Sequence, residues 1–160
     1  MTNPVMAQLL DALTALGLAT GVARSSLVYG AVSAGHVFGI ALLVGPILLV
    51  DLTLLGIVRA LDARAIATLR ATARIGLTLV LVTGVLLVSS KPDEYLTKMV
   101  FLTKMTIVAA GIANALLFEW RTRRRLMSAV GYTRWDHAAG AASLVLWLTA
   151  LMLGRAVAFV

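Results

Sequence analysis

Four stretches of this chain run long, apolar and almost uncharged: Leu27 to Val58, Ala71 to Ser90, Met99 to Phe118, and Ala138 to the last residue. At a rise of about 1.5 Å per residue, crossing about 30 Å of hydrocarbon takes about 20 residues of helix. A helix also satisfies its own backbone where no water can. Each stretch therefore predicts a transmembrane helix, and the first is long enough to tilt or protrude. Composition agrees: 61% of the 160 residues are hydrophobic and 13% are charged, against about 45–50% and about 25% in soluble domains. A water-exposed globule of this make-up would lack the polar surface to cover itself. The expected fold is all-α, an integral-membrane four-helix bundle of residues 27–160 preceded by a separate segment, residues 1–26.

The charges say how such a bundle sits. Arg59, Arg64 and Arg70 lie between the first two stretches, with Arg74 just inside the second. Arg121, Arg123, Arg124, Arg125 and Arg134 lie between the last two. The opposite side offers only Arg24, Lys91, Lys98 and Arg155. Both arginine-rich loops share one side, as an even number of crossings requires. The positive-inside rule then predicts that this side is cytoplasmic and that both termini are not. Tyr29 and Tyr95 fit an outer aromatic belt, Trp120 and Trp135 an inner one. The net charge of +7 is thus read as topology and not as a nucleic-acid surface, since the arginines flank apolar runs and have no interleaved aromatics to stack bases.

Within residues 1–26, Asn3-Pro4 reads as an N-cap followed by proline in the first turn. Met6, Leu9, Leu10, Leu13 and Leu16 recur at helical spacing, with Gln8, Asp11 and Thr14 elsewhere. The expectation is an amphipathic helix on the outer membrane surface; packing over the mouth of the bundle is the alternative. With no Lys or Arg before Arg24, the segment lacks the basic start of a cleavable signal peptide. Ser89 to Glu94 reads as an outer turn.

Ionisable residues inside a membrane are costly and so draw attention first. Counting inward from Tyr29 and Tyr95, His36 lies roughly 10 Å deep and Lys104 roughly 14 Å, with Thr83 near the same level and Met105 beside Lys104. These residues predict one polar layer, closed above by Arg155. A second layer is predicted nearer the arginines, where Asp51 and Arg74 come level across a short loop. An Asp51–Arg74 ion pair is expected there, because neither charge is tolerated alone. Asn114 and Ser143 fall at the same depth.

Ala31, Gly35 and Gly39 form a small-residue stripe that predicts close helix packing, within the bundle or between two copies. Glycines flanking His36 also leave room for a flat cofactor. His36 itself has three open readings: a hydrogen bond to a neighbouring helix, a ligand to haem b or copper, or a proton relay. The other histidine, His137, sits at the far end of the fourth helix, so two histidines of one chain cannot share a haem. A second ligand would then come from Lys104, Met105 or another subunit, and for copper from Met99 or Met105. The chain has no cysteine, which removes disulfides and thiolate sites. There is no HExxH, GxSxG or P-loop, and no pair of intramembrane carboxylates; Asp93 and Glu94 belong to an exposed turn. The sequence points away from an enzyme.

His36-Val37-Phe38-Gly39, Gly45, and Asp51-Leu52-Thr53-Leu54-Leu55-Gly56 together resemble the first-helix signature of an uncharacterised bacterial family of four-helix membrane proteins, itself distantly similar to the copper-resistance D (CopD-like) proteins. Thr83-Gly84, Phe101 to Met105, Asn114 to Phe118, Ser143 to Trp147 and Gly154-Arg155 extend the resemblance over most of residues 27–158. It implies a bacterial inner-membrane location and roles for His36, Asp51, Lys104 and Arg155, but no set reaction. Some relatives are expected to carry histidine after the phenylalanine at 118, where this chain has Glu119. The leading functional expectation is a non-enzymatic accessory or scaffold subunit of a larger membrane assembly, with lipid and other subunits or further copies as partners. A haem- or copper-binding protein using His36, and a small transporter or channel, are the alternatives.

Overall fold

The computed structural model describes residues 4–122 and 133–156. Among the described residues the chain is helical, without strands: α1 (Pro4–Ala19), α2 (Ser26–Leu54), α3 (Ala63–Ser90), the short α4 (Pro92–Thr97), α5 (Met99–Thr122) and α6 (Arg134–Ala156). Four of these, α2, α3, α5 and α6, are long and apolar enough to cross a membrane. The protein buries little of their apolar surface. In the most apolar stretch of α5 only 11% is buried, and even in α2 only 33%. Side chains left this bare need lipid around them, and the multi-pass membrane fold expected from the four apolar stretches is the one found.

The helix ends differ from the apolar boundaries, each for a local reason. α2 stops at Leu54, four residues before Val58. Gly56 takes the left-handed conformation, with φ of +74°. The Gly56 N–H then bonds the Thr53 carbonyl at 3.0 Å and the Ile57 N–H bonds Leu52 at 3.0 Å, the paired bonds of a Schellman stop. α3 begins eight residues before Ala71, because the Asp62 carboxylate accepts the Ala65 N–H at 2.7 Å and caps the helix there. α6 begins at Arg134, four residues before Ala138. Asp136 reaches back to the Thr133 N–H at 2.6 Å and accepts from the Thr133 hydroxyl at 2.8 Å. Asn3 and Arg123 to Arg125 lie outside the described residues.

The four spans are arranged in the order α3, α2, α6, α5. α2 lies closely along α3, α6 lies against both α2 and α5, and the backbones of α3 and α5 never approach each other. Glycine sets each contact. A Cβ on Gly76 would meet the Leu43 nitrogen at 2.5 Å, and one on Gly39 would meet Val80 at 3.0 Å. A Cβ on Gly140 would stand 3.1 Å from Leu54, and one on Gly111 would stand 3.3 Å from the Trp147 ring. With no hydrophobic drive between helices in lipid, such close approach is what dispersion needs. Leu43, Ala73 and Trp147 form the core where α2, α3 and α6 meet.

The end of the bundle that carries Tyr29 and Tyr95 is closed by other means. α1 is a helix, as expected, and packs on α3 and α4, where Gly17 lies against the Ser89 backbone with no space for a side chain. Val5, Met6 and Leu9 remain exposed. The expected turn holds one helical piece, α4, and Glu94 there bonds Lys98 at 3.1 Å and Lys91 at 3.4 Å. The Lys98 hydrogen bond, ahead of the nearby charges of Lys91 and Lys98, holds the Glu94 carboxyl below its ordinary range. Tyr95 packs on Phe101 with ring centres 5.6 Å apart. Burial, assisted by a hydrogen bond with Tyr29, pushes the Tyr95 hydroxyl up to about 12.

Candidate functional site

The structure assembles both polar layers that the sequence predicts and changes the pairing in one. Near the tyrosine end, His36 Nδ1 lies 2.9 Å from the Thr83 hydroxyl oxygen, and Thr83 in turn donates to the Leu79 carbonyl at 2.6 Å. A hydroxyl has one proton, and the shorter contact takes it. The Val80 backbone is a further hydrogen-bond partner of the ring, so His36 is tied to α3 at two points. The ring lies over Gly84, where a Cβ would be 3.3 Å from its Cε1. Lys104 is close enough for its charge to act on His36, and its ammonium lies against Gly154, 3.5 Å from where a Cβ would be. Two glycines thus make room for two polar side chains. Arg155 follows directly, at the exposed end of α6.

Along the glycine stripe and at Met105 this layer offers no place for a flat cofactor or a soft ligand beside His36. The glycine stripe that offered room for a flat cofactor is filled by α3: Leu79 and Val80 press on Gly39, and the Thr83 methyl lies 3.7 Å from a Cβ on Gly35. Ala31 is exposed, so the stripe works as an α2/α3 contact from Gly35 onward. Met105 points outward and is 39% exposed, a helical step of about 100° from Lys104. No group of three potential His, Cys, Asp or Glu ligands occurs among the described residues.

The second layer, at the arginine end, surrounds a cavity of about 160 Å³. Its walls come from all four spans. Leu43, Ile47 and Leu54 of α2, Leu77 of α3 and Ile112 of α5 are apolar, while Asp51, Asn114 and Ser143 bring polar groups. The expected Asp51–Arg74 pair is not formed. Arg74 instead bonds Glu119 across the seam between α3 and α5, at 3.1 Å and largely exposed. The reason is position: Asp51 is buried, 4% exposed, and an arginine reaching it would give up water that it keeps at Glu119. Ser143 is the hydrogen-bonding neighbour of Asp51. Asn114 donates to the Ala139 carbonyl at 3.1 Å, tying α5 to α6. Arg70 caps Phe118 at 5.3 Å from the ring centre.

Two buried polar atoms here have no partner: Asp51 Oδ2 and Trp147 Nε1. Both residues line the cavity. Sequence reasoning selected Asp51, named Trp147 and Glu119 without giving them a role, and passed over Gly76. Trp147 lies one helical turn beyond Ser143, a polar handle in an apolar run. Glu119 is an acid in α5 facing Arg70 and Arg74 of α3, and that was the available signal. No family model, curated protein or solved structure matches the chain.

Proposed function

We propose that the protein is a non-enzymatic binding protein of the bacterial cytoplasmic membrane that holds an amphiphilic molecule in the cavity at its arginine end. The cavity carries this reading: a space walled by all four spans, with unpartnered buried polar atoms. It meets the surface at the α3/α5 seam, where the backbones do not approach and the exposed Arg74–Glu119 pair stands. An occupant with an apolar tail would leave through this seam, past the exposed Arg74–Glu119 pair. The arginine excess supports a cytoplasmic position for this end. Since the chain has no cysteine, single cysteines at Ala60 and Asp93 report the orientation. The first should react only from inside and the second only from outside.

Extraction in native-lipid nanodiscs, followed by mass spectrometry, tests the binding reading. Wild-type protein should carry a small apolar molecule in near-stoichiometric amount. Ala115→Phe, which fills the cavity from its exposed edge, should lose that molecule and remain monodisperse. Identical content in both samples would count against the reading.

A second reading, an accessory subunit, has its own observation. The backbone of α5 approaches only α6 and α4, so a whole flank faces the membrane. Native electrophoresis in mild detergent should then show a large assembly, and a small monomer alone would count against it.

A further inference from the structure

We propose that the cavity takes the hydrocarbon chain of a free fatty acid whose carboxylate is held at the mouth by Arg70 and Arg74. This deepens the binding reading above and rests on it. The charges that line the cavity lie at different depths. The side chains of Arg74 and Glu119 are 63% and 41% exposed and Arg70 is half-buried, whereas Asp51 is 4% exposed. All four belong to the lining, so both arginines stand at the opening and the aspartate stands in the wall behind it. An oxyanion is attracted at the opening and gains nothing further in. An uncharged chain meets apolar Leu43, Ile47, Leu77 and Ile112 there. The ligand therefore enters with its head outward.

Arg70 is the better placed of the two cations. Arg74 already bonds Glu119 at 3.1 Å. Arg70 stands over the Phe118 ring, 5.3 Å from its centre, and among the described residues it has no ion pair. A ring face attracts the guanidinium but offers its planar N–H fork no oxygen, and a carboxylate fits that fork. Glu119 and Arg74 are both near enough for their charges to act on Arg70. Two guanidiniums against one carboxylate leave a single positive charge at the mouth. A fatty acid matches it, whereas a phosphate monoester brings a charge of about −1.5 to −2. Height agrees, since Trp120, next to Glu119 in sequence, is 74% exposed and suits the interfacial belt where lipid heads stand. Size then limits the ligand to one chain. A cavity of about 160 Å³ is close to the roughly 150 Å³ of an engineered cavity that accepts benzene, enough for one short length of chain. The remaining carbons leave between α3 and α5, whose backbones do not approach.

The test uses the full chain in a neutral detergent at alkaline pH, with radiolabelled palmitate read by scintillation proximity. Unlabelled hexadecanol and hexadecyl phosphate, with the same chain and other heads, serve as competitors. Wild type should prefer palmitate over hexadecanol by about tenfold or more, in line with a charge-assisted bond. Arg70→Gln should weaken palmitate by about tenfold and leave hexadecanol within about threefold. Arg70→Lys, which keeps the charge, should retain part of the preference. Arg64→Gln, an exposed arginine outside the cavity lining, should change nothing, and Ala115→Phe should abolish binding of both heads. Size-exclusion profiles show which variants are folded, and the wild-type comparison of acid with alcohol stands as a test without them. Equal affinity for acid and alcohol, or an equal loss in Arg64→Gln and Arg70→Gln, would overturn the carboxylate assignment and leave the cavity as an apolar binding site. Hexadecyl phosphate competing more strongly than palmitate would overturn it too and assign the mouth to a phosphate. No binding that Ala115→Phe removes would overturn this inference and the binding reading together.

Discussion

His36 and Asp51 stand fifteen residues apart on the same helix, each facing polar groups on its neighbours, yet their surroundings differ. The imidazole bonds Thr83, which donates to the Leu79 carbonyl, and α3 side chains fill the space around the adjacent glycines. The carboxylate has one serine neighbour, an oxygen with no donor, and a cavity in front of it. A buried polar group that is fully bonded fixes helix register; one left open beside empty space marks where packing stops. The histidine ties α2 to α3. The aspartate lies where we propose that a ligand binds.

The largest way to break the comparison is to remove what both layers share. α2 and α3 are held in register at Gly76, where a side chain would collide with the Leu42–Leu43 backbone. Gly76→Leu should cost about 3 kcal/mol or abolish folded protein, read by fluorescence-detected size exclusion after heating. A mild loss would show that the two layers do not depend on that contact.

The contrast sharpens with a matched pair of substitutions. His36→Leu should lower stability by about 1 kcal/mol, the net worth of its bond to Thr83. Asp51→Leu should leave stability unchanged or raise it by about 1 kcal/mol in protein stripped of ligand, because it removes a buried carboxylate with an unmet oxygen. Thermal unfolding in one detergent compares them, and a reversed order would mean that Asp51 is the better satisfied of the two.

Much of this arrangement was legible in the sequence, and the exceptions are physical. Apolar run length predicts four spans, because hydrocarbon thickness fixes it. The same counting puts His36 level with Thr83 and Lys104, and Asp51 level with Asn114 and Ser143. Helix ends were misread because hydropathy reports where lipid starts, whereas Asp62, Thr133 with Asp136, and Gly56 report where the hydrogen-bond ladder starts or stops. The Asp51–Arg74 pairing failed because depth says which charges are level and not which way they face. Arg74 looks outward across the α3/α5 seam, a direction set by helix order, which no single sequence reveals. The cavity follows from that same order.

Two smaller effects probe the ends. Glu119→Gln removes an exposed ion pair, so stability should change by less than about 0.5 kcal/mol. If the seam is the entrance, release of a bound amphiphile should quicken; stopped-flow exchange reads this. At the other end, Tyr95 carries a hydroxyl pushed up to about 12 by burial and Tyr29. Its folded value lies above the unfolded one of about 10, so its stabilising share is complete below that pH and is lost as the pH climbs through the folded value. Tyr29→Phe should move the phenolate absorbance titration of Tyr95 toward the ordinary value. An unchanged titration would mean that Tyr29 contributes nothing.

The most direct measurement is a high-resolution density map of the protein in native-lipid nanodiscs, viewed at Asp51 and Trp147. The account predicts non-protein density in the cavity beside Asp51, continuous with a tail leaving between α3 and α5, and only protein around His36. An empty or merely hydrated pocket at Asp51, or non-protein density joined to His36, would contradict it.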